Sequence, residues 1–87
     1  MFSVYVLYSK VFKKTYVGFS GNVIERLAQH NAGRVISSKK YRPWEIIFEE
    51  KSESELIARR REKYYKSAAG RRKLKKIFDD LGLNKVL

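Results

Sequence analysis

The sequence predicts a small α+β domain: a three-stranded, mainly antiparallel sheet flanked by helices, in the order ββαβαα. Three observations carry that expectation. Two segments near the start alternate in the manner of strands and lie only four residues apart. Two later segments space their apolar residues for helices behind serine or asparagine caps. The 87 residues contain no repeat, linker or low-complexity stretch, so residues 1–87 read as one domain with a thin core.

Phe2 to Ser9 sets Phe2, Val4, Val6 and Tyr8 on one side and Ser3, Tyr5, Leu7 and Ser9 on the other. Lys14 to Phe19 repeats the pattern, and Lys10-Val11-Phe12-Lys13 is short enough for a hairpin turn. Opposed residues of a hairpin have a constant number sum and share a face. An odd sum such as 21 or 23 puts Tyr5 and Tyr16 on the same face; an even sum separates them. The sequence leaves both registers open. Asn22 is placed to cap a first helix, with Glu25 completing a capping-box-like pair and Asn31-Ala32-Gly33 ending it. Arg26 and His30 are then one turn apart on one face. Arg34 to Pro43 reads as a basic loop, and Trp44 to Glu50 as the third strand. Ser52 or Ser54 opens a second helix that runs to about Lys66, and Ala68-Ala69-Gly70 is expected to break it. Leu74, Ile77, Phe78 and Leu81 form the apolar stripe of the last helix, before Gly82.

Composition excludes several classes of function. With 44% apolar residues and twelve aromatics (five Phe, one Trp, six Tyr), the chain is not a disordered tail. It has no cysteine and one histidine, which removes disulfides, thiol catalysis and thiolate zinc sites. No apolar run approaches the ~20 residues of a membrane span, and Met1 leads into a strand-like alternation rather than a signal peptide; a soluble, cytoplasmic protein is expected. Charge points the other way, toward a partner. Twenty Lys+Arg against nine Asp+Glu give +11, and between Arg59 and Lys76 ten cations face one acid, Glu62. Such a field attracts polyanions and indicates nucleic acid, although a solvated helical face would carry similar charges.

Conventional catalytic sets are missing. There is no serine-triad motif, no phosphate-cradling glycine loop and no carboxylate cluster for two metals. What remains is Tyr5, Tyr16, Arg26, His30 and the isolated Glu62. Ser3-Val4-Tyr5, then ten residues, then Tyr16-Val17-Gly18 resembles the paired strand motifs of the GIY-YIG nucleases, with valines for isoleucines and a glycine-poor first motif. Asn22 to Asn31 resembles the family's first helix with its catalytic arginine. Arg42-Pro43-Trp44 resembles the approach to its third strand, and Arg61-Glu62-Lys63 matches its metal-binding glutamate. The similarity extends over nearly the whole chain and is greatest to short members without an attached DNA-binding domain.

The resemblance implies an endonuclease that nicks nucleic acid, DNA in the first instance, with one divalent cation, Mg²⁺ or Mn²⁺. Glu62 is the expected metal ligand, because hard cations accept a single carboxylate when substrate phosphate provides further oxygens. The competing role for Glu62 is an i,i+4 ion pair with Lys66. Arg26 offers a planar, permanently charged fork to the scissile phosphate. Tyr5 is assigned as general base and Tyr16 as the group positioning nucleophile or phosphate, roles that are exchangeable on sequence grounds. An ordinary phenol pKa near 10 is too high for a base at neutral pH, so a neighbouring cation is expected to favour phenolate. His30 is expected to relay a proton or bind a nonbridging oxygen, unless it is a surface or capping histidine. Lys39, Lys40, Tyr41 and Arg42 read as a phosphate-tracking loop, extended by Arg59, Arg60, Arg61 and the Arg71–Lys76 group. The alternative function is a basic nucleic-acid-binding module without chemistry; a protein-interaction domain explains the core but not the charge.

Overall fold

The strand Phe2–Ser9 (β1) lies in the middle of a three-stranded antiparallel sheet, between Lys14–Ser20 (β2) and Glu45–Ser52 (β3). The computed structural model describes residues 1–80 and Gly82. Helices Val23–Asn31 (α1), Ile36–Lys39 (α2), Glu55–Lys66 (α3) and Ala68–Asp80 (α4) complete it. The expected order ββαβαα is therefore the observed one, with one short helix added.

A central strand must satisfy two faces, and β1 does so with two separate clusters. Val4 and Val6 pack with Ala58 and Tyr65 of α3 and Leu74 and Phe78 of α4. Tyr5 and Leu7 pack on the other face with Val23 and Trp44, flanked by Tyr16, Leu27 and Ile46. The sheet is thus sandwiched between α3–α4 and α1–α2. The hairpin register pairs Tyr5 with Gly18 and Leu7 with Tyr16, a sum of 23. Tyr5 and Tyr16 consequently share a face and stack diagonally, with ring centroids 6.4 Å apart. On the other side of β1 the register with β3 shifts between Val6 and Leu7, a bulge that leaves Ile47 without a partner in the ladder.

The helix starts follow the capping rules with small differences. Asn22 Oδ1 accepts the Glu25 N–H at 3.1 Å, but the Glu25 carboxylate returns to the Asn22 side chain, because the Asn22 N–H is already taken by Ser20 Oγ. Of the two candidate caps for α3, Ser54 accepts the Ile57 N–H; Ser52 is the last residue of β3.

Two expectations are corrected. The segment from Arg34 to Pro43 is not all loop: α2 is a single turn, too short to leave any periodicity in the sequence. It is held from inside, by Ser38, whose carbonyl accepts the Trp44 indole N–H at 3.0 Å. The second correction concerns the α3–α4 junction. Helix α3 ends at Ser67, which takes an extended ψ of 167° and whose hydroxyl donates to the Tyr64 carbonyl and accepts the Gly70 N–H. Ala68, Ala69 and Gly70 instead form the first turn of α4. Gly70 is there for contact: a Cβ would overlap the Tyr64 carbonyl oxygen and Tyr65 Cα. Leu81, the last position of the apolar stripe, lies outside the described residues.

Because that contact is with backbone, it cannot relax by a rotamer change. Gly70→Ala is expected to destabilise the fold by about 3 kcal/mol or more, at the upper end of overpacking costs. Ala69→Gly, at the exposed neighbouring position, should cost only about 0.5–1 kcal/mol. Urea unfolding of the two variants checks the difference.

Candidate active site

Four elements converge on one open cleft of about 490 Å³: Tyr5 comes from β1, Tyr16 and Gly18 from β2, Arg26 and Gln29 from α1, and Glu62 from α3. Its position follows from the topology. β2 is an edge strand, so side chains from either side of the sheet can meet around it. The α3 helix runs along the same edge: Arg59 lies over the Phe19 ring, Glu62 reaches the cleft, and Lys66 stands by Thr15 and Tyr16. The spacing 59, 62, 66 is one helical face.

Gly18 is what lets Tyr5 into this space. A Cβ at Gly18 would fall 2.6 Å from the Tyr5 hydroxyl oxygen and 3.1 Å from a Tyr16 ring carbon. The absent side chain is replaced by the Tyr5 phenol, laid across the strand. The Tyr5 residue is almost wholly buried at 1% exposure, although it borders the cleft.

His30 also departs from expectation. It is fully buried, with Nε2 3.0 Å from the Tyr5 hydroxyl and Nδ1 2.6 Å from Ser38 Oγ. Ser38 Oγ in turn donates to the Val35 carbonyl. With the Ser38 hydroxyl turned to the Val35 carbonyl, 3.4 Å away, it accepts from the imidazole; that assignment puts the hydrogen on Nδ1 and directs the Tyr5 O–H to Nε2. The chain runs Tyr5 to His30 to Ser38 to Val35. The imidazole does not line the cleft; it reaches that space only through its bond to Tyr5.

Charge follows the same geometry. Burial, reinforced by the Arg26 guanidinium, lowers His30 from 6.5 to about 4, and the ring is neutral at pH 7. Burial pushes Tyr5 up to about 12, while Arg26 acts in the opposite direction and only partly offsets it. Arg26 thus favours the phenolate as expected but does not suffice to form it: with Arg26 alone the resting group is a phenol. Arg26 is itself aimed by Gln29, whose Oε1 accepts from Nη1 at 2.7 Å. Gln29 was not among the sequence candidates, although its i+3 spacing from Arg26 was there to read.

Glu62 makes the i,i+4 ion pair considered for it, its carboxylate 3.6 Å from Lys66 Nζ, and also reaches the cleft. Among the described residues no group of three or more His, Cys, Asp or Glu is arranged to hold a metal ion.

The basic residues divide. Arg61 is committed to structure: Nε and Nη2 clasp the Glu50 carboxylate at 2.8 and 3.1 Å, and the Tyr65 hydroxyl donates to the same carboxylate at 2.6 Å. That network holds the Glu50 carboxyl below its usual range, chiefly through Arg61. Arg61 is thus removed from the nucleic-acid set, because its charge is already answered. Arg59 pairs with Glu55 at 3.5 Å, an exposed contact that a phosphate could replace. Arg60 is exposed. Tyr41 is packed by Phe12 and overlain by Lys14 and Lys40, and it does not line the cleft. Lys39, Lys40 and Arg42 are exposed but likewise lie outside the cleft lining, with Arg42 against Gly33.

The GIY-YIG catalytic domain matches residues 1–75 of the 87. The chain belongs to this family, whose nuclease-type activity makes nucleic acid its substrate class. Comparison with curated proteins and with solved structures returned no match.

The buried imidazole has a consequence for stability. In the unfolded chain a histidine takes up its proton near pH 6.5; here it does so only near 4. Between those values the unfolded state holds more protons, so stability falls as pH drops from 6.5 toward 4, by on the order of 3 kcal/mol. Glu50, with its lowered pKa, adds its own loss only below its ordinary value of 4.5. Tyr5 and Tyr65, both raised to about 12, predict a second decline above pH 10. Denaturant unfolding across pH checks this; His30→Gln should flatten the limb between 6.5 and 4.5.

Proposed function

We propose that this protein is an endonuclease that nicks DNA phosphodiesters, uses a divalent cation held at Glu62, and serves repair or recombination. The supporting observation is the meeting of Tyr5, Tyr16, Arg26 and Glu62, from four different elements, in one open cleft. A simple phosphate-binding surface has no need of carboxylates, yet Glu62 and Glu25 both line this cleft beside Arg26.

The residues have separable tasks. Arg26, oriented by Gln29, presents its fork to the nonbridging oxygens, where negative charge grows as the nucleophile adds. Tyr5 accepts a proton from the attacking water on its phenol oxygen while its own O–H passes toward His30 Nε2. The neutral imidazole makes that relay possible, since an imidazolium has no lone pair to receive it. Substrate itself aids the transfer, because a phosphate on Arg26 cancels one of the two influences that depress His30. Tyr16, half-buried beside Tyr5, borders the same space and orients the water or phosphate.

Glu62 fits a hard cation. It is partly buried, its 3.6 Å approach to Lys66 is longer than a hydrogen bond, and its oxygens keep lone pairs facing a polar cleft. Magnesium or manganese accepts one such carboxylate with phosphate oxygens and water. When bound, such an ion neutralises charge on the phosphoryl oxygens.

Supercoiled plasmid is expected to be relaxed by nicking in Mg²⁺ or Mn²⁺ and to stay intact with chelator. Glu62→Gln should reduce nicking by roughly 100-fold or more, the scale of losing one electrostatic stabiliser. Its thermal unfolding should remain within a few tenths of a kcal/mol of wild type, because only a partly exposed pair, longer than a hydrogen bond, is lost. Nicking at the wild-type rate by this variant contradicts the assignment of Glu62, and parallel RNA and branched-DNA substrates test the choice of nucleic acid.

A further inference from the structure

Next to the cleft, along the same edge of β2, lies a second hollow of about 260 Å³. Tyr16 borders both. Thr15 from β2, Lys66 from the end of α3 and Arg71 from α4 stand around it, over an apolar floor that includes Val17 and Leu74. Lys66 also ties the two spaces together, through its pair with Glu62.

The chemistry of this lining is one-sided. It holds two cations, with Thr15 and Tyr16 as hydroxyl residues, and no carboxylate; the third hydroxyl, that of Tyr65, is already bound to Glu50. The backbone from which Arg71 springs is firmly placed, since Gly70 beside it lies against the backbone of α3 at Tyr64 and Tyr65. Among the described residues Arg71 is in no ion pair, and neither are Arg72, Lys73, Lys75 and Lys76 that follow it on α4. Arg71 with Lys75, and Arg72 with Lys76, are like charges at i,i+4, an arrangement that destabilises a helix. A fold that tolerates this self-repulsion beside an open hollow is suited to an anion.

We propose that the hollow is a second phosphate-binding subsite, in which Lys66, Arg71 and Thr15 take the phosphodiester neighbouring the one held at Arg26. The strand is thereby seated along β2 and led onto the basic face of α4. This rests on the reading of the cleft as a site of phosphodiester cleavage. It adds a direction to that site, from Arg26 toward the α3–α4 junction.

Binding of a labelled duplex oligonucleotide, titrated in chelator over a range of salt, tests the subsite separately from the chemistry. Each phosphate contact contributes about 0.9 to the slope of log affinity against log salt. Arg71→Gln is expected to lower the slope by about that amount, and Lys66→Met to do the same. Lys51→Gln removes the same charge from β3, at the opposite edge of the sheet, and should leave the slope as in wild type. In nicking assays Arg71→Gln should raise KM severalfold with kcat held, as expected of a contact made before and during the reaction. Equal slopes for Arg71→Gln and Lys51→Gln overturn the subsite while leaving the cleft's assignment standing. A wild-type protein that binds no nucleic acid overturns both. Inorganic phosphate that shifts the Arg71 side-chain NMR signals as much as the oligonucleotide does overturns the seating of a strand and reassigns the hollow to a small anion.

Discussion

Tyr5 crosses its own sheet over a glycine and gives its proton to a buried imidazole, and most of the molecule is arranged around that contact. Gly18 leaves the room, and the 23-sum register sets Gly18 opposite Tyr5. From His30 the chain continues to Ser38, which fixes α2 and, through its carbonyl, the Trp44 indole. Asn31, next to His30, clasps the backbone of Trp44 with its side-chain amide, accepting from N–H at 2.7 Å and donating to C=O at 3.1 Å. One end of α1, the short α2 and the start of β3 are therefore fastened to the same hydrogen-bonded line. Buried polar groups are costly unless every member is paired; here no buried side-chain nitrogen or oxygen among the described residues lacks a partner.

Charge is sorted around this centre rather than spread evenly. On the α3–α4 side of the sheet, Arg61 is neutralised by Glu50 and braced by Tyr65, and it stacks on Tyr64 and Tyr65 at 4.8 and 5.0 Å. That arginine serves the core. Among the described residues, Arg71, Arg72, Lys73, Lys75 and Lys76 form an unpaired run on α4, while Lys39, Lys40 and Arg42 lie exposed around α2 and Lys51 on β3, outside the cleft lining. A net charge of +11 opposes compaction, and the run on α4 is where a polyanion would relieve the most self-repulsion.

Much of this was legible beforehand, and the misses have physical causes. The strands and α1 follow from alternation and the Asn22 cap; α3 and α4 follow from their serine signals and apolar spacing. α2 was not, because one helical turn leaves no period, and its stability comes from Ser38 bonding to residues far along the chain. Gly70 looked like a helix breaker because sequence shows a glycine's freedom but not the backbone lying against it. The cleft residues were found through their resemblance to a nuclease family, and the odd register brings Tyr5 and Tyr16 together as the chemistry required. What the sequence could not disclose was environment. Burial makes His30 a neutral partner of Tyr5 rather than a surface or capping histidine and raises the phenol, and Glu50 claims Arg61. Each is a matter of which distant side chain closes over the group.

The account rests on a neutral His30 whose Nδ1 carries the hydrogen while Nε2 receives the Tyr5 hydroxyl. With a single histidine in the chain, ¹⁵N NMR of the imidazole through a pH titration reads that state directly. The expected result is the Nδ1–H tautomer at neutral pH with protonation delayed to about 4. In Gly18→Ala, where the new methyl displaces the Tyr5 phenol, the Nε2 signal should change and protonation move back toward its ordinary range. An Nε2–H tautomer, or a wild-type histidine titrating near 6.5 and indifferent to Gly18→Ala, would contradict the account at its centre.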